Sequence, residues 1–172
     1  MKKKKGYSGF KKKGNVISDS IMVMVVLLIF ILSIFFGKFL LNEWNDDVQA
    51  DDDMNNLSKE IVSTQNARYS GFFDGLFMMF FILIWALVLV ASFKIETHPI
   101  FFIFTVILLI IVFMVAAELG NFYEEITAED DISTVVAGFP MANYIMSNML
   151  MVIIVIGFSI VLVLFGKNRM NQ

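Results

Sequence analysis

The sequence predicts an all-α integral membrane protein with four transmembrane helices, both termini on the inner side and a central helical hairpin. Hydrophobic residues make up 58% of the 172 residues and charged residues 17%, whereas soluble domains contain about 45–50% and about 25%. The apolar residues are gathered into four runs, each close to the roughly 18–20 residues that cross a bilayer as a helix. The charged residues are sorted between these runs, with lysines at the N-terminus and acids in the two longest loops.

The chain divides into nine predicted segments. The first apolar run has 21 residues, about 31 Å of helix against a hydrocarbon core of about 30 Å. It is longer than the apolar core of a signal peptide and ends without a small-residue cleavage site, so we interpret it as an uncleaved anchor. In chain order the segments are a basic flexible arm (1–20), a first span (21–41), an acidic outer loop with a short amphipathic helix (42–71), a second span (72–93), an inner turn (94–99), a third span (100–119), a second acidic outer loop (120–143), a fourth span (144–165) and a basic inner tail (166–172).

The second and third spans form the predicted central hairpin. Between residues 75 and 91, and again between 100 and 117, there is no charged residue. Because only a short turn connects the two spans, both of its ends must lie on one side of the bilayer, and we expect the spans to be antiparallel neighbours. His98 followed by Pro99 is typical of a helix start with proline at the first helical position.

Each outer loop contains one predicted helical segment. In the first loop, Met54, Leu57, Ile61 and Val62 recur at helical spacing, which predicts a short amphipathic helix lying on the membrane or on a neighbouring subunit. In the second loop, Thr127 and Asp130 resemble a capping box that opens a helix of one or two turns, ending at Val136 before Gly138 and Pro140.

The distribution of basic residues predicts the orientation. With the N-terminus inside, ten Lys and Arg residues lie in inner segments and only Lys59 and Arg68 lie in outer loops, as the positive-inside rule requires. Aromatic residues independently support this orientation, because they favour membrane interfaces and four of them fall at the outer ends of the spans: Trp44, Tyr69, Tyr123 and Tyr144.

The lysine-rich arm is predicted to bind anions. Its first role is to hold the N-terminus inside and to contact anionic lipid headgroups, at about 1 kcal/mol per basic residue near the surface. The alternative is non-specific, salt-sensitive contact with nucleic acid phosphates. The residues concerned are Lys2, Lys3, Lys4, Lys5, Lys11, Lys12 and Lys13.

A few polar side chains fall within the spans. Lys38 lies one turn from the end of the first span, where its stem can extend to the headgroups. Asp74 and Glu118 lie at the outer ends of the second and third spans, at the same expected level; intramembrane acids are candidate proton or ion relays, but here water reaches them. Asn143 and Asn148, with Ser147 between them, give the fourth span a polar face suited to interhelical hydrogen bonds.

Two pairs of small residues are predicted helix-packing positions. Gly71 and Gly75 form a G-x-x-x-G pattern, and Ala116 with Gly120 forms a second pair at the same spacing. Such pairs allow close approach of helices. We expect them to pack within the hairpin or between subunits.

No pattern in the sequence predicts catalysis, a cofactor or a metal. The chain has no cysteine and one histidine, and it lacks nucleotide-binding and hydrolase motifs. The acidic triplets at residues 51–53 and 129–131 lack the alternating ligands and glycine of a calcium loop, so we interpret them as solvated loops; a weak divalent-ion bridge between subunits is the alternative. We therefore expect a protein that is not an enzyme.

Two stretches in the second half of the chain are similar to small multi-span membrane proteins encoded by bacterial and archaeal viruses. They are Glu96-Thr97-His98-Pro99-Ile100-Phe101-Phe102 and Asn121-Phe122-Tyr123-Glu124-Glu125, followed by the polar start of the last span at residues 143–148. The resemblance covers roughly the last hundred residues. It implies a virion-membrane or virus-assembly protein whose lysine arm faces the genome, and it carries over no functional residue.

Three functions remain open on these observations. The first is a structural subunit of a virion inner membrane or a host cytoplasmic membrane, packed against copies of itself or against partner membrane and capsid proteins. In that role the arm contacts headgroups or genome, and the acidic loops contact an outer protein layer. The second is a small oligomeric pore or holin-like channel, and the third is a membrane-anchored nucleic-acid tether.

Overall fold

The computed structural model describes residues 16–94 and 99–170, and its regular structure over these ranges is entirely helical. Three helices are long and apolar enough to cross a membrane, or four if the bent pair Pro140–Ser147 and Met149–Val163 forms one span. All seven lysines of the arm, and His98 in the inner turn, lie outside the described residues. Residues 16–20, predicted as the end of the flexible arm, are instead the first residues of a helix, because the apolar run that follows continues the same helix. The helices are α1 (Val16–Ala50), α2 (Asn56–Lys94), α3 (Pro99–Thr127), α4 (Asp130–Val136), α5 (Pro140–Ser147) and α6 (Met149–Met170).

The first two helices extend well beyond the predicted spans. With 35 and 39 residues, α1 and α2 are about 52 Å and 58 Å long, against a hydrocarbon core of about 30 Å. The predicted outer loop 42–71 is therefore helical except at residues 51–55, and its amphipathic helix is the start of α2. This differs from the sequence interpretation, which treated that helix as separate from the second span.

Packing between α1 and α2 explains why they continue. Val48 and Val62 are both buried. Gln49 Nε2 donates to the Lys59 carbonyl at 2.9 Å, and Lys59 Nζ donates to the Gln49 carbonyl at 3.0 Å. At the turn, Asn55 Oδ1 accepts from the Ser58 amide at 2.8 Å, which is the bond of a helix N-cap. The result is an α1–α2 hairpin whose tip extends beyond the apolar segments of both helices.

The long helices form a ring in which α1 and α6 separate α2 from α3. Helix α1 contacts α2 and α3, and α6 contacts the same two helices, while α2 and α3 make at most marginal contact where both are described. The expectation that the second and third spans pack as neighbours is thus wrong for these residues. Helix α1 is the most buried of the three candidate spans, with 33% of its apolar window buried against 17% for α2 and for α3.

The predicted fourth span is broken. Helices α5 and α6 meet at Asn148 with a bend of 77°, so residues 144–147 do not continue the line of the span. Asn148 closes α5 as its C-cap, and its Nδ2 donates to the Tyr144 carbonyl at 2.9 Å. The Asn148 side chain thus provides a donor for the Tyr144 carbonyl, in the last turn of α5 before the bend.

The second acidic loop folds over the end of the bundle at which α3 ends. Helix α3 continues to Thr127, and α4 ends at Val136 as predicted. The predicted capping box is wrong, because the N-cap of α4 is Glu129 without a side-chain bond, and Thr127 Oγ1 instead donates to the Tyr123 carbonyl at 2.9 Å. Helix α4 packs against α1 and α3, and α5 packs against α2 and α3. Together α4 and α5 form the outer plug of the bundle (residues 130–147).

Candidate functional site

A buried carboxylate lies at the start of α5. Asp74 on α2 is only 4% exposed, and its two oxygens accept from the backbone amides of Met141 at 3.1 Å and Ala142 at 2.8 Å. Helix α5 has no side-chain cap of its own: its N-cap is Phe139, and Pro140 opens the helix. Asp74 therefore supplies from another helix the acceptor that an N-cap residue normally provides, and its charge is stabilised by the helix dipole.

A second set of polar groups ties α5 to α3. Tyr123 is fully buried, and its hydroxyl donates to Asn143 Oδ1 at 3.0 Å. Ser147 Oγ donates to the same Asn143 oxygen at 3.2 Å. With Asp74 on α2, these side chains form a polar cluster (Asp74, Tyr123, Asn143 and Ser147) that joins α2, α3 and α5.

Aromatic side chains close the space beside this polar cluster. Phe139 is fully buried, and its ring centroid lies 5.0 Å from that of Phe35 and 6.5 Å from that of Tyr69. The Tyr69 hydroxyl donates to the Ile34 carbonyl at 3.3 Å and lies where a Cβ on Gly37 would stand. Side chains of the plug and of α1 and α2 thus pack together at this end of the bundle.

The two acids expected at one level have different surroundings. Asp74 is buried beneath the plug, whereas Glu118 is exposed on the outer surface of α3. The structure therefore does not bring them together as a pair. Lys38 is half-buried, and its ammonium donates to both the backbone carbonyl, at 2.7 Å, and the side-chain oxygen of Asn66 on α2. Protein groups thus take the place of the headgroups that were expected to receive this side chain.

The two pairs of small residues also differ. A Cβ on Gly120 would lie 3.8 Å from the Met149 Cβ, and Ala116 is fully buried, so this pair packs against the α5–α6 junction. Added Cβ atoms on Gly71 and Gly75 meet nothing within 4 Å. Packing of the G-x-x-x-G pair between subunits stays a prediction.

Several contacts at this site had no signal in the sequence. The sequence interprets Tyr123 and Tyr69 only as interfacial aromatics. Ser70 and Gly138, far apart in the chain, also approach closely: a Cβ added to Gly138 would lie 2.8 Å from Ser70 Oγ. The sequence offers one clue: Asp74 is an acid within an apolar run, and the helix that starts at Pro140 is preceded by Phe139 and not by a capping residue.

The polar cluster holds the plug in place and offers no arrangement of nucleophile and base. Each Asp74 oxygen accepts a hydrogen bond from one backbone amide, and the side-chain oxygen of Asn143 accepts hydrogen bonds from two hydroxyls. Among the residues with described positions, no group of three or more His, Asp and Glu side chains could hold a metal ion. Comparison with protein-family models, with curated proteins and with solved structures found no match to this chain.

Proposed function

We propose that this chain is a non-enzymatic structural subunit of a membrane, and that it assembles with copies of itself or with partner proteins. The membrane we propose is that of a virion or of the host cell carrying the virus. The basic arm contacts lipid headgroups or the genome on the inner side. The acidic outer surface contacts a protein layer on the opposite side.

The observation that carries this proposal is the amount of apolar surface that the chain leaves uncovered. Large apolar side chains point outward from every long helix, and only 17% of the apolar windows of α2 and α3 is buried. Lipid or neighbouring subunits must cover this surface, because contiguous apolar patches of this size are not stable in water. Representative exposed fractions are 67% for Met22, 58% for Leu87, 66% for Met114 and 63% for Phe158.

Close packing beside the plug favours a structural role over a pore within one chain. Phe139 is fully buried, and its ring contacts Phe35 of α1 and Tyr69 of α2, so side chains fill the space between these elements. Asn143, the residue best suited to line a pore, has its carbonyl oxygen occupied by Tyr123 and Ser147. A pore would thus need either several chains or a displaced plug.

One observation favours the pore as a second candidate. The helix break at Asn148 is the kind of interruption that lines ion sites in channels and transporters, where non-helical backbone faces a water-filled cavity. In that proposal the plug moves away and the polar side chains of α5 face the lumen.

Single-channel recording of the full chain in planar bilayers tests the two candidates. The structural proposal predicts no conductance at any protein density, together with sedimentation of the full chain as an oligomer or with capsid proteins. Ohmic conductance that is abolished by replacing Asn143 and Asn148 would overturn it in favour of the pore. Salt-reversible DNA binding by the full chain in nanodiscs, lost when the seven arm lysines become glutamine, would instead support the tether.

A further inference from the structure

The tip of the α1–α2 hairpin carries an apolar face that nothing in the described chain covers. Leu57 and Ile61, one helical turn apart on α2, are 66% and 49% exposed, and Met54, in the turn before α2, is 41% exposed. The opposite face of α2 is the one that packs on α1, through the buried Val62 and the hydrogen bonds between Lys59 and Gln49. We call Met54, Leu57 and Ile61 the tip face.

Lipid does not reach the tip face. The apolar run of α2 begins at Phe72, and at about 1.5 Å per residue Ile61 and Leu57 lie about 16 Å and 22 Å beyond it. Even with a helix tilt of about 40° these heights remain about 13 Å and 17 Å. The headgroup region on one side of a bilayer is only about 5–7 Å deep. The tip face is therefore surrounded by water unless a protein covers it.

The charges around the tip face determine what kind of protein fits. Residues 42–66 contain seven acids and one lysine, which gives this part a net charge of −6, and all seven acids are exposed. The single lysine, Lys59, is held against the Gln49 carbonyl. The acids are Glu43, Asp46, Asp47, Asp51, Asp52, Asp53 and Glu60. A second copy of this chain that used the same face would bring the same charge, and like charges across an interface oppose association.

We propose that the tip face is a docking site for a basic amphipathic helix of a protein on the acidic side of the membrane. The proposal rests on the structural function proposed above and names the chemistry of the outer partner. Apolar side chains of the partner helix, at i and i+3 or i+4 spacing, cover Leu57 and Ile61. Its Lys and Arg residues face the acids of the hairpin tip, in the manner of an amphipathic helix bound to an apolar surface.

Peptide binding to the full chain in phosphatidylcholine nanodiscs tests the proposal. The probe is a fluorescent leucine–lysine helical peptide with leucines along one face, and its anisotropy is compared with that for empty nanodiscs. The comparison peptides are a leucine–glutamate peptide of the same pattern and a scrambled leucine–lysine peptide. We expect binding of the first peptide alone, weakened by added salt.

The double variant L57S/I61S removes the apolar contact, and we expect it to weaken binding by about tenfold or more. The matched control is Phe122→Ser, which removes an apolar side chain of similar exposure, 49%, from α3 and leaves the affinity unchanged. Because Leu57 and Ile61 are exposed, both variant proteins should fold, which is checked by an unchanged elution volume.

Three results would overturn the proposal: equal affinity of the double variant and the parent chain, equal binding of the acidic and basic peptides, or a signal that empty nanodiscs fully reproduce. Efficient disulfide-linked dimers of a Leu57→Cys variant would also overturn it, because a second copy would then cover the face. None of these results produces conductance, so failure of the docking site is distinguishable from failure of the structural function.

Discussion

Replacing Asp74 tests whether one side chain holds the outer plug on the bundle. Asp74→Ala removes the acceptor of two amides at the start of α5, at 2.8 Å and 3.1 Å, in a place where the carboxylate is 4% exposed. A buried donor left without a partner costs about 1–3 kcal/mol. The loss of the acceptor for two donors therefore costs at most about 6 kcal/mol. Water that enters beside the exposed Pro140 and bonds to these donors makes the cost smaller. We expect a loss of about 3 kcal/mol, above the usual range of about 0.5–2 kcal/mol for an N-cap, because two amides, one buried and one partly buried, lose their acceptor together.

Asp74→Asn separates hydrogen bonding from charge. The amide keeps one oxygen acceptor but turns an NH2 group towards the second backbone N–H, so one of the two bonds is lost along with the interaction with the helix dipole. We expect this variant to lose about half as much stability as Asp74→Ala, about 1.5 kcal/mol. The graded order of the two variants is a stronger test than either value alone.

The measurement is the free energy of unfolding in mixed micelles, combined with hydrogen exchange of the α5 amides. We expect the amides of Met141 and Ala142 to exchange faster in Asp74→Ala while amides in the middle of α1 stay protected. The matched control is Glu118→Ala, which removes an exposed acid from α3 and should change stability by less than about 0.5 kcal/mol. Equal stability of Asp74→Ala and the control, or unchanged exchange in α5, would refute the reasoning.

Three further predictions address packing and topology. Gly157→Leu should lower the unfolding free energy by about 1–3 kcal/mol, because a Cβ added to Gly157 would already lie 3.0 Å from a side-chain atom of Leu109. Unfolding in mixed micelles measures this free energy, and an unchanged value would contradict tight packing between α3 and α6. Gly71→Leu should leave monomer stability nearly unchanged, since its Cβ meets nothing within 4 Å, but should reduce self-association measured by energy transfer between labelled copies; unaltered association would remove Gly71 from any subunit interface. Single cysteines at Ala50 and Ala128 should both react with an impermeant thiol reagent from the acidic side, and labelling from opposite faces would contradict the proposed topology.

Local properties of the sequence were enough to predict the helical class. A run such as residues 100–117 is uncharged over its whole length, and helix formation within an apolar run satisfies its own backbone groups whatever the neighbours are. The same reasoning predicted the end of α4 at Val136, because Gly138 and Pro140 stop a helix locally. It was less successful at helix ends rich in polar residues. Residues 42–50 remain helical because Val48 is buried and Gln49 bonds to Lys59 of α2, and composition does not reveal those contacts.

Only part of the candidate site could be predicted from the sequence. Asp74 and Asn143 were chosen as polar residues within spans, but their partners were not predicted. Asp74 bonds to amides 67 and 68 residues away, and nothing in the spacing of either segment signals such a pairing. Glu118 looked equivalent to Asp74 by position along its span, yet it faces outward, because the rotation of α3 about its axis is set by packing with α1 and α6.

By itself, the sequence determined that this protein is helical with several long apolar helices, and how its charges are divided between the arm and the loops. Both follow from the water-to-lipid transfer energy of successive side chains, which needs no knowledge of distant contacts. Only the tertiary structure decided that α1 and α6 separate α2 from α3. It also decided that the last apolar segment breaks at Asn148, so that α5 packs against α2 and α3. Those outcomes depend on side chains such as Asp74 meeting backbone groups far away in the chain, and that meeting exists only once the helices have packed.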